Sequence, residues 1–202
     1  MSVATGRTLA DLLRHGETEG AGGFRGSTDD ALTPRGLEQM RMAVANRPAW
    51  DRIVSSPLRR CATFSAELAQ QRGIPLDVDE RLKEMHFGAW EGKTAQELMQ
   101  TDGEGLLRFW NDPALNTPPS GESLRAFQAR VLAAWNDQIR AHAGQYLLFV
   151  LHGGPIRVLL GHVLGSPPAA LLQFDVPLAS LTRVEVDHEA QSQRTRVLAA
   201  SE

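Results

Sequence analysis

The 202-residue chain has a single cysteine, Cys61, so no internal disulfide can form and a reducing, cytoplasmic setting is expected. It also lacks any run of Lys or Arg: 21 basic residues against 24 acidic ones leave a net charge of −3 and a pI near 6.1. That balance argues against a broad cationic surface for nucleic acid or an anionic membrane, so any positive potential must be local. No apolar stretch approaches the roughly 18 residues of a membrane span. The opening MSVATGRTLADLL has neither the charged start nor the long apolar core of a secretory signal. Internal repeats, low-complexity tracts and linkers are absent too, so 1–202 reads as one domain, its 42% hydrophobic residues enough for one substantial core. No histidine pair has the helical spacing of metal ligands, so neither a metal nor another cofactor is expected.

What is present is an alternation of strand-length apolar runs with segments of helical period. This predicts an α/β fold, a three-layer sandwich with a mostly parallel central sheet and helices on both faces. Thr8 to Leu13 reads as a first strand running into Arg14-His15-Gly16, with the glycine suited to a sharp turn and Asp11 facing an edge or solvent. Thr33-Pro34 opens a helix reaching about Asn46, Arg52 to Ser55 is a second strand, and Ser56-Pro57 repeats the helix-start signal. Leu58, Cys61, Phe64, Ser65 and Leu68 share one side of that helix, which makes Cys61 a small core residue.

Leu124, Phe127, Val131, Trp135 and Ile139 recur at three- and four-residue steps, predicting a long amphipathic helix with a solvated polar face. Tyr146 to Leu151 is a continuous apolar strand that delivers His152-Gly153-Gly154-Pro155 to another helix start. Residues 86–122, rich in Gly, Pro and Trp, read as an irregular insertion over the carboxyl edge of the sheet, above the active site. Ser180 to Val186 and Thr195 to Leu198 are further strand candidates.

His15 and His152 thus end two predicted strands, at the edge where open α/β sheets bind ligands. Arg14 stands beside the first, and Arg59-Arg60 occupy the first turn of a helix. Guanidinium forks and helix N-termini both favour a dianionic phosphate. LLRHGET, SSPLRRC, EMHFGAWEG and VLHGGPIR, in this order across residues 12–160, resemble the histidine phosphatase superfamily, which includes the phosphoglycerate mutases. The resemblance implies a phosphoglycerate mutase-like fold and a single histidine phosphatase domain. It implies that His15 is phosphorylated, that Arg14, Arg60 and His152 hold the transferred phosphate, and that Glu84 protonates the leaving oxygen. Gly153 joins the substrate-binding set.

That division of labour is chemically sound. Preorganised donors stabilise the charge that develops in phosphoryl transfer, so no metal is required. His15 attacks as neutral imidazole near its ordinary pKa of about 6.5, its other nitrogen held by a group such as the Gly16 carbonyl. One carboxyl then serves both half-reactions, as acid and afterwards as base. Glu80, Glu91 and Glu17 are the alternatives to Glu84. Arg59 is read as a solvated neighbour of Arg60, and His86, His142, His162 and His188 as structural or surface residues. Trp90, Phe109, Trp110 and Phe24 are read as core more than as substrate platforms.

Three decoys fail. Gly88 to Thr94 has one residue too few between its glycines for a nucleotide-phosphate loop and follows no strand. Asp77-Val78-Asp79 has no companions for a magnesium site, and Cys61 has Glu67 where a cysteine-dependent phosphatase needs arginine. One departure stands out: the asparagine common in mutases is replaced within Gly20-Ala21-Gly22-Gly23, so Gly amides, Arg25 or Ser27 are expected to supply the missing phosphate contact. The short insertion favours hydrolysis over mutase chemistry, which needs a more enclosed site. Phe24-Arg25-Gly26, Glu84 to Gly88 and Pro119 to Ser123 look most like the α-ribazole phosphatases of cobalamin synthesis. The expected partner is a small phosphorylated metabolite; a broad sugar or glycerate phosphatase, a mutase and a non-catalytic phospholigand-binding module are the alternatives. The oligomeric state stays open, a dimer included.

Overall fold

The structure, a computed structural model, describes residues 6–20, 22–188 and 194–200. The opening residues 1–5 read above, Ala21 of the glycine-rich loop and residues 201–202 lie outside the described residues. Six strands form one sheet: β1 (Arg7–Arg14), β2 (Arg52–Ser55), β3 (Leu76–Val78), β4 (Tyr146–Leu151), β5 (Leu181–Asp187) and β6 (Arg194–Ala200), in the order β3-β2-β4-β1-β5-β6. The first four in that order are mutually parallel; β5 runs antiparallel to β1 and β6 antiparallel to β5. The expected three-layer, mostly parallel α/β sandwich is what forms.

Strand alternation distributes the core to two faces. In β4, Leu147, Phe149 and Leu151 enter one cluster while Leu148 and Val150 enter the other; in β1, Ala10 and Leu12 oppose Leu13 in the same way. Helices α1 (Pro34–Val44) and α2 (Arg59–Arg72) cover the second cluster through Met40, Val44, Cys61, Phe64 and Leu68. Helices α4 (Leu124–Ala141) and α5 (Gly153–Leu164) cover the first, where the five apolar residues of the α4 stripe are all buried. At roughly 1.5–3 kcal/mol for each fully buried large apolar side chain, that stripe is a major contribution to holding α4 against the core.

Because β1 leads to α1 on one face and the adjacent β4 leads to α5 on the other, their chains diverge and open a crevice between them, a topological switch point. Arg14 is in register with Leu151, so His15 and His152 follow side by side.

Several expectations change. Asp11 does not face solvent: it is fully buried, because Trp50 Nε1 (3.0 Å), Tyr146 Oη (2.5 Å) and Arg183 Nε (2.8 Å) all donate to its carboxylate. Gly16 is not a left-handed turn residue; its lack of a side chain lets α1 approach, since a Cβ there would lie 2.1 Å from the Gly36 carbonyl oxygen. Helix α1 stops at Val44, and α2 starts at Arg59, two residues after the Ser56-Pro57 signal, with Asp29 Oδ1 accepting the Arg59 N–H at 2.6 Å. The 86–122 stretch is not uniformly irregular, since it contains a 17-residue helix, α3 (Ala95–Asn111), opened by a Thr94–Glu97 capping box and kinked at Asp102. The polar face of α4 is not wholly solvated either, because Arg130 turns inward, as described below.

Candidate active site

His15 lies just past β1, 9% exposed, in a cavity of about 380 Å³ whose lining includes Arg14, Arg25, Arg60, Glu84 and Arg157. Its Nδ1 meets the Gly16 carbonyl at 2.8 Å, and since a carbonyl only accepts, Nδ1 carries the proton and Nε2 keeps its lone pair. Burial pushes its pKa down to about 3, with Arg60 and Arg14 adding to the fall and the Gly16 hydrogen bond opposing it. The ring is therefore neutral near pH 7, chiefly because its dry surroundings disfavour a charge and secondarily because two fixed cations oppose one.

Arg14, the last residue of β1, donates through one terminal nitrogen to the Val176 carbonyl (2.5 Å), while its Nε is buried without a hydrogen-bond partner. An orphaned guanidinium N–H is costly unless a ligand completes it, and burial already lowers the pKa of Arg14. Arg60 is 1% exposed, with its fork on the carbonyls of Thr28 (2.6 Å) and Gly26 (2.9 Å) and its Nε on His152 Nδ1 (3.0 Å). Arg59 is exposed, so of the basic pair only the second points inward.

His152 is completely buried, its ring centroid 5.2 Å from that of His15. Arg60 can only donate, so His152 Nδ1 accepts and its Nε2–H faces Ser56 Oγ at 2.7 Å. Burial, reinforced by Arg60, holds it well below the ordinary histidine pKa. Both nitrogens are thus engaged by protein groups, and the ring orients Arg60 from behind.

Glu84 sits opposite, on the segment between β3 and α3. Its carboxylate accepts the N–H of Gly154 on the first turn of α5 (2.9 Å) and its neighbour Met85 N–H (2.9 Å). Of the four glutamates weighed from the sequence, Glu84 and Glu17 line the cavity. Glu17 is drawn toward Thr33 and Arg35, and Glu80 to Lys83. Glu91 accepts the N–H groups of Gly26, Ser27, Thr28 and Phe87. Although burial opposes it, these bonds with the Thr28 hydroxyl hold the Glu91 pKa below the usual carboxylate range.

That anchor also settles the glycine-rich loop. Ser27 is exposed, gives its N–H to Glu91 and is not among the residues that line the cavity. Gly20, Gly22, Gly23 and Arg25 do line it, Arg25 being paired with Asp30 at 3.3 Å. Gly153 stands behind the guanidiniums: a Cβ there would be 2.9 Å from an Arg157 terminal nitrogen and 3.4 Å from Arg14 Nε.

Two residues of the site received no role from the sequence. Arg157 sits one turn into α5, lines the cavity and is held by Nε on the Phe174 carbonyl (2.9 Å), two residues from the carbonyl that holds Arg14. Its spacing of four from Gly153 placed it on the same helix face, which was the available signal. Arg130 donates to the carbonyls of Arg81 (2.7 Å), Lys83 (2.7 Å) and Glu84 (2.9 Å) and pairs with Glu122 (2.7 Å), fixing the turn that carries Glu84. Of the aromatics, Trp90 and Phe109 are buried, whereas Trp110 is half exposed, and Phe24, Phe109 and Trp110 line a second cavity beside the first. Among the described residues no cluster of three His, Cys, Asp or Glu side chains is arranged to hold a metal, and no helix is long and apolar enough to cross a membrane.

A mostly parallel sandwich with two imidazoles and several arginines at the switch point defines a phosphate-handling α/β protein. Residues 11–197 match the model of the histidine phosphatase superfamily (branch 1), and the chain belongs to that family. It is 30% identical over 185 residues to the adenosylcobalamin/alpha-ribazole phosphatase of Salmonella typhimurium, covering 87% of this chain and 89% of that one. Among solved structures, YhfR of Bacillus stearothermophilus superposes with a TM-score of 0.85 at 31% identity, over 95% of this chain and 96% of that one. A mycobacterial glucosyl-3-phosphoglycerate phosphatase superposes at 0.83 and 27% identity, over 95% and 97%.

Proposed function

We propose that the chain is a metal-independent phosphomonoesterase that hydrolyses a small phosphorylated metabolite through a phosphohistidine on His15. One observation carries this reading: His15 has its Nδ1–H spent on Gly16 and its Nε2 lone pair free beside Arg14, whose Nε is buried and unpaired. A phosphate dianion completes that arginine and meets the nucleophile in one placement.

His15 Nε2 attacks phosphorus while the ester P–O bond breaks, and Glu84, entering protonated, gives its proton to the departing oxygen. Water then attacks the phosphohistidine, Glu84 takes the proton from that water, and the P–N bond breaks to release inorganic phosphate and neutral His15. Arg14 and Arg60 hold the phosphoryl oxygens, and His152 keeps Arg60 in place. Among substrates, α-ribazole 5′-phosphate is the leading candidate, supported by the kinship with a relative named for that activity.

The test is turnover of radiolabelled phosphomonoesters, α-ribazole 5′-phosphate included, with chelator present and rapid quench into alkaline denaturant. Label that is base-stable, acid-labile and absent from His15→Ala is expected. Undiminished turnover by His15→Ala overturns the proposal.

A further inference from the structure

Adjoining the first cavity, and lined like it by Glu84 though not by His15, lies a second of about 190 Å³, lined by Phe24, Phe87, Phe109, Trp110 and Leu172 among other mostly apolar residues. The two cavities share four lining residues: Phe24, Phe87, Glu84 and Arg157. Three of the rings form a wall, with Phe24 and Phe87 edge to face at 5.0 Å and Phe87 and Phe109 at 6.3 Å. Phe109 and Trp110 come from the far half of α3, beyond its kink at Asp102.

We infer that this chamber is the leaving-group site, and that the enzyme's substrates are phosphomonoesters of alcohols with a flat apolar body rather than of small polyols. The inference rests on the reading of Glu84 as the acid. The leaving oxygen has to meet that carboxyl, and the alcohol it carries then lies at the chamber that Glu84 also lines, whose surroundings apart from Glu84 and Arg157 are mainly aromatic and aliphatic. Small polyols such as glycerol or glycerate would leave those rings uncovered and set their own hydroxyls against surfaces that offer few hydrogen bonds. A dry apolar cavity of roughly 150 Å³ accepts benzene, so this chamber has room for one aromatic ring.

Propyl and 3-phenylpropyl phosphate test this directly, because their alcohols ionise alike and differ by one ring. Removing roughly 100 Å² of ring from water corresponds to about 50-fold in transition-state binding, and the chamber is not fully closed, so kcat/KM is expected to favour the phenyl ester about 30-fold. Trp110→Ala opens the chamber and Leu172→Trp fills it; both residues are 42% exposed, so the fold tolerates either change. Each variant is expected to reduce the phenyl preference to below about 5-fold. A wild-type ratio near one, or a ratio that neither variant moves, overturns the inference. Label on His15 is followed in the same experiments: present with a ratio near one, it leaves the phosphohistidine reading standing and removes only the chamber assignment; absent, it removes the reading itself.

Discussion

Gly154→Ala separates the position of Glu84 from the stability of the fold. The new methyl carbon would lie 2.0 Å from Glu84 Oε1 and 3.0 Å from the Phe127 ring, where ordinary contact begins near 3.4 Å. The obstruction is the tip of a flexible side chain, so the carboxyl yields by about 1.4 Å. Displacement weakens its bonds to the Gly154 and Met85 N–H groups, each worth about 1.5–3 kcal/mol when made to a buried charged group and less for a carboxylate that water can reach. Alanine in place of glycine near a helix start returns up to about 1 kcal/mol of propensity, so Tm is expected to shift by less than about 5 °C. Catalysis has no such compensation. Misplacing a reacting group by about 1 Å costs roughly 100-fold, and positioned proton transfer contributes about 100- to 10,000-fold. Turnover of an alkyl phosphate is therefore expected to fall about 100-fold or more, while an aryl phosphate, whose phenolate leaves unaided, falls less than about 5-fold. Paired kcat measurements on Gly154→Ala and Glu84→Gln supply the readout. Equal losses on both esters in both variants refute Glu84 as the acid, and wild-type kinetics in Gly154→Ala refute its position.

The depressed pKa of His15 predicts a pH effect on folding. Between its unfolded value of about 6.5 and its folded value of about 3 the unfolded chain binds the extra proton, so stability falls as pH drops through that window. His15→Asn is expected to flatten the pH dependence of the urea-unfolding free energy by up to about 1.4 kcal/mol per pH unit between pH 6 and 4; an unchanged slope rejects the assignment. Arg157→Met, which removes the guanidinium held on the Phe174 carbonyl, is expected to raise KM for phosphate esters about 10-fold while His15 still takes label, and a change confined to kcat refutes a binding role. Asp11→Ala strips a fully buried carboxylate from Arg183, Trp50 and Tyr146, for an expected loss of about 3 kcal/mol, or roughly 6–12 °C in Tm, with kcat within twofold. Unaltered melting would mean that the network contributes nothing net.

What was legible in the chain was what neighbours in sequence determine. The bounds of β2 and β4 were both read as they stand, β4 from a continuous apolar run, and each of the strand-end histidines followed from its own strand. Choosing Arg60 over Arg59 came from the resemblance rather than from the helix, whose start falls on Arg59 itself. Asp11 was misread because its partners lie 39, 135 and 172 residues away, and no local pattern distinguishes a buried carboxylate with three donors from one on an edge. Arg130 escaped for the same reason: three residues beyond Phe127 it flanks the apolar stripe of α4, yet the turn it binds belongs to another segment. Helix α3 was a different failure, since Thr94-Ala95-Gln96-Glu97 is a readable capping box and the surrounding glycines and tryptophans obscured it.

Apart from Arg25, which pairs with Asp30, the arginines of the site differ in kind from the ion-paired ones elsewhere, which helps explain how a chain of net charge −3 presents a positive cavity. Outside the site, Arg41 pairs with Glu67, Arg52 with Asp77, Arg81 with Asp79 and Asp137, and Arg183 with Asp11, each cation cancelled by a carboxylate. Arg14, Arg60 and Arg157 instead take main-chain carbonyls, from Val176, from Thr28 and Gly26, and from Phe174. Among the described residues none of the three is in an ion pair, although Arg14 feels Glu84 and Asp175 at longer range. A carbonyl dipole orients a guanidinium without neutralising it, so the geometry is set and the charge remains uncancelled. Like-charged neighbours held in that way repel one another, a repulsion that Glu84 and Asp175 partly offset at Arg14. Burial is the main reason the two imidazoles stay unprotonated, and the same uncancelled field adds to it, so the electrostatics that would bind phosphate also help preserve the lone pair that would attack it.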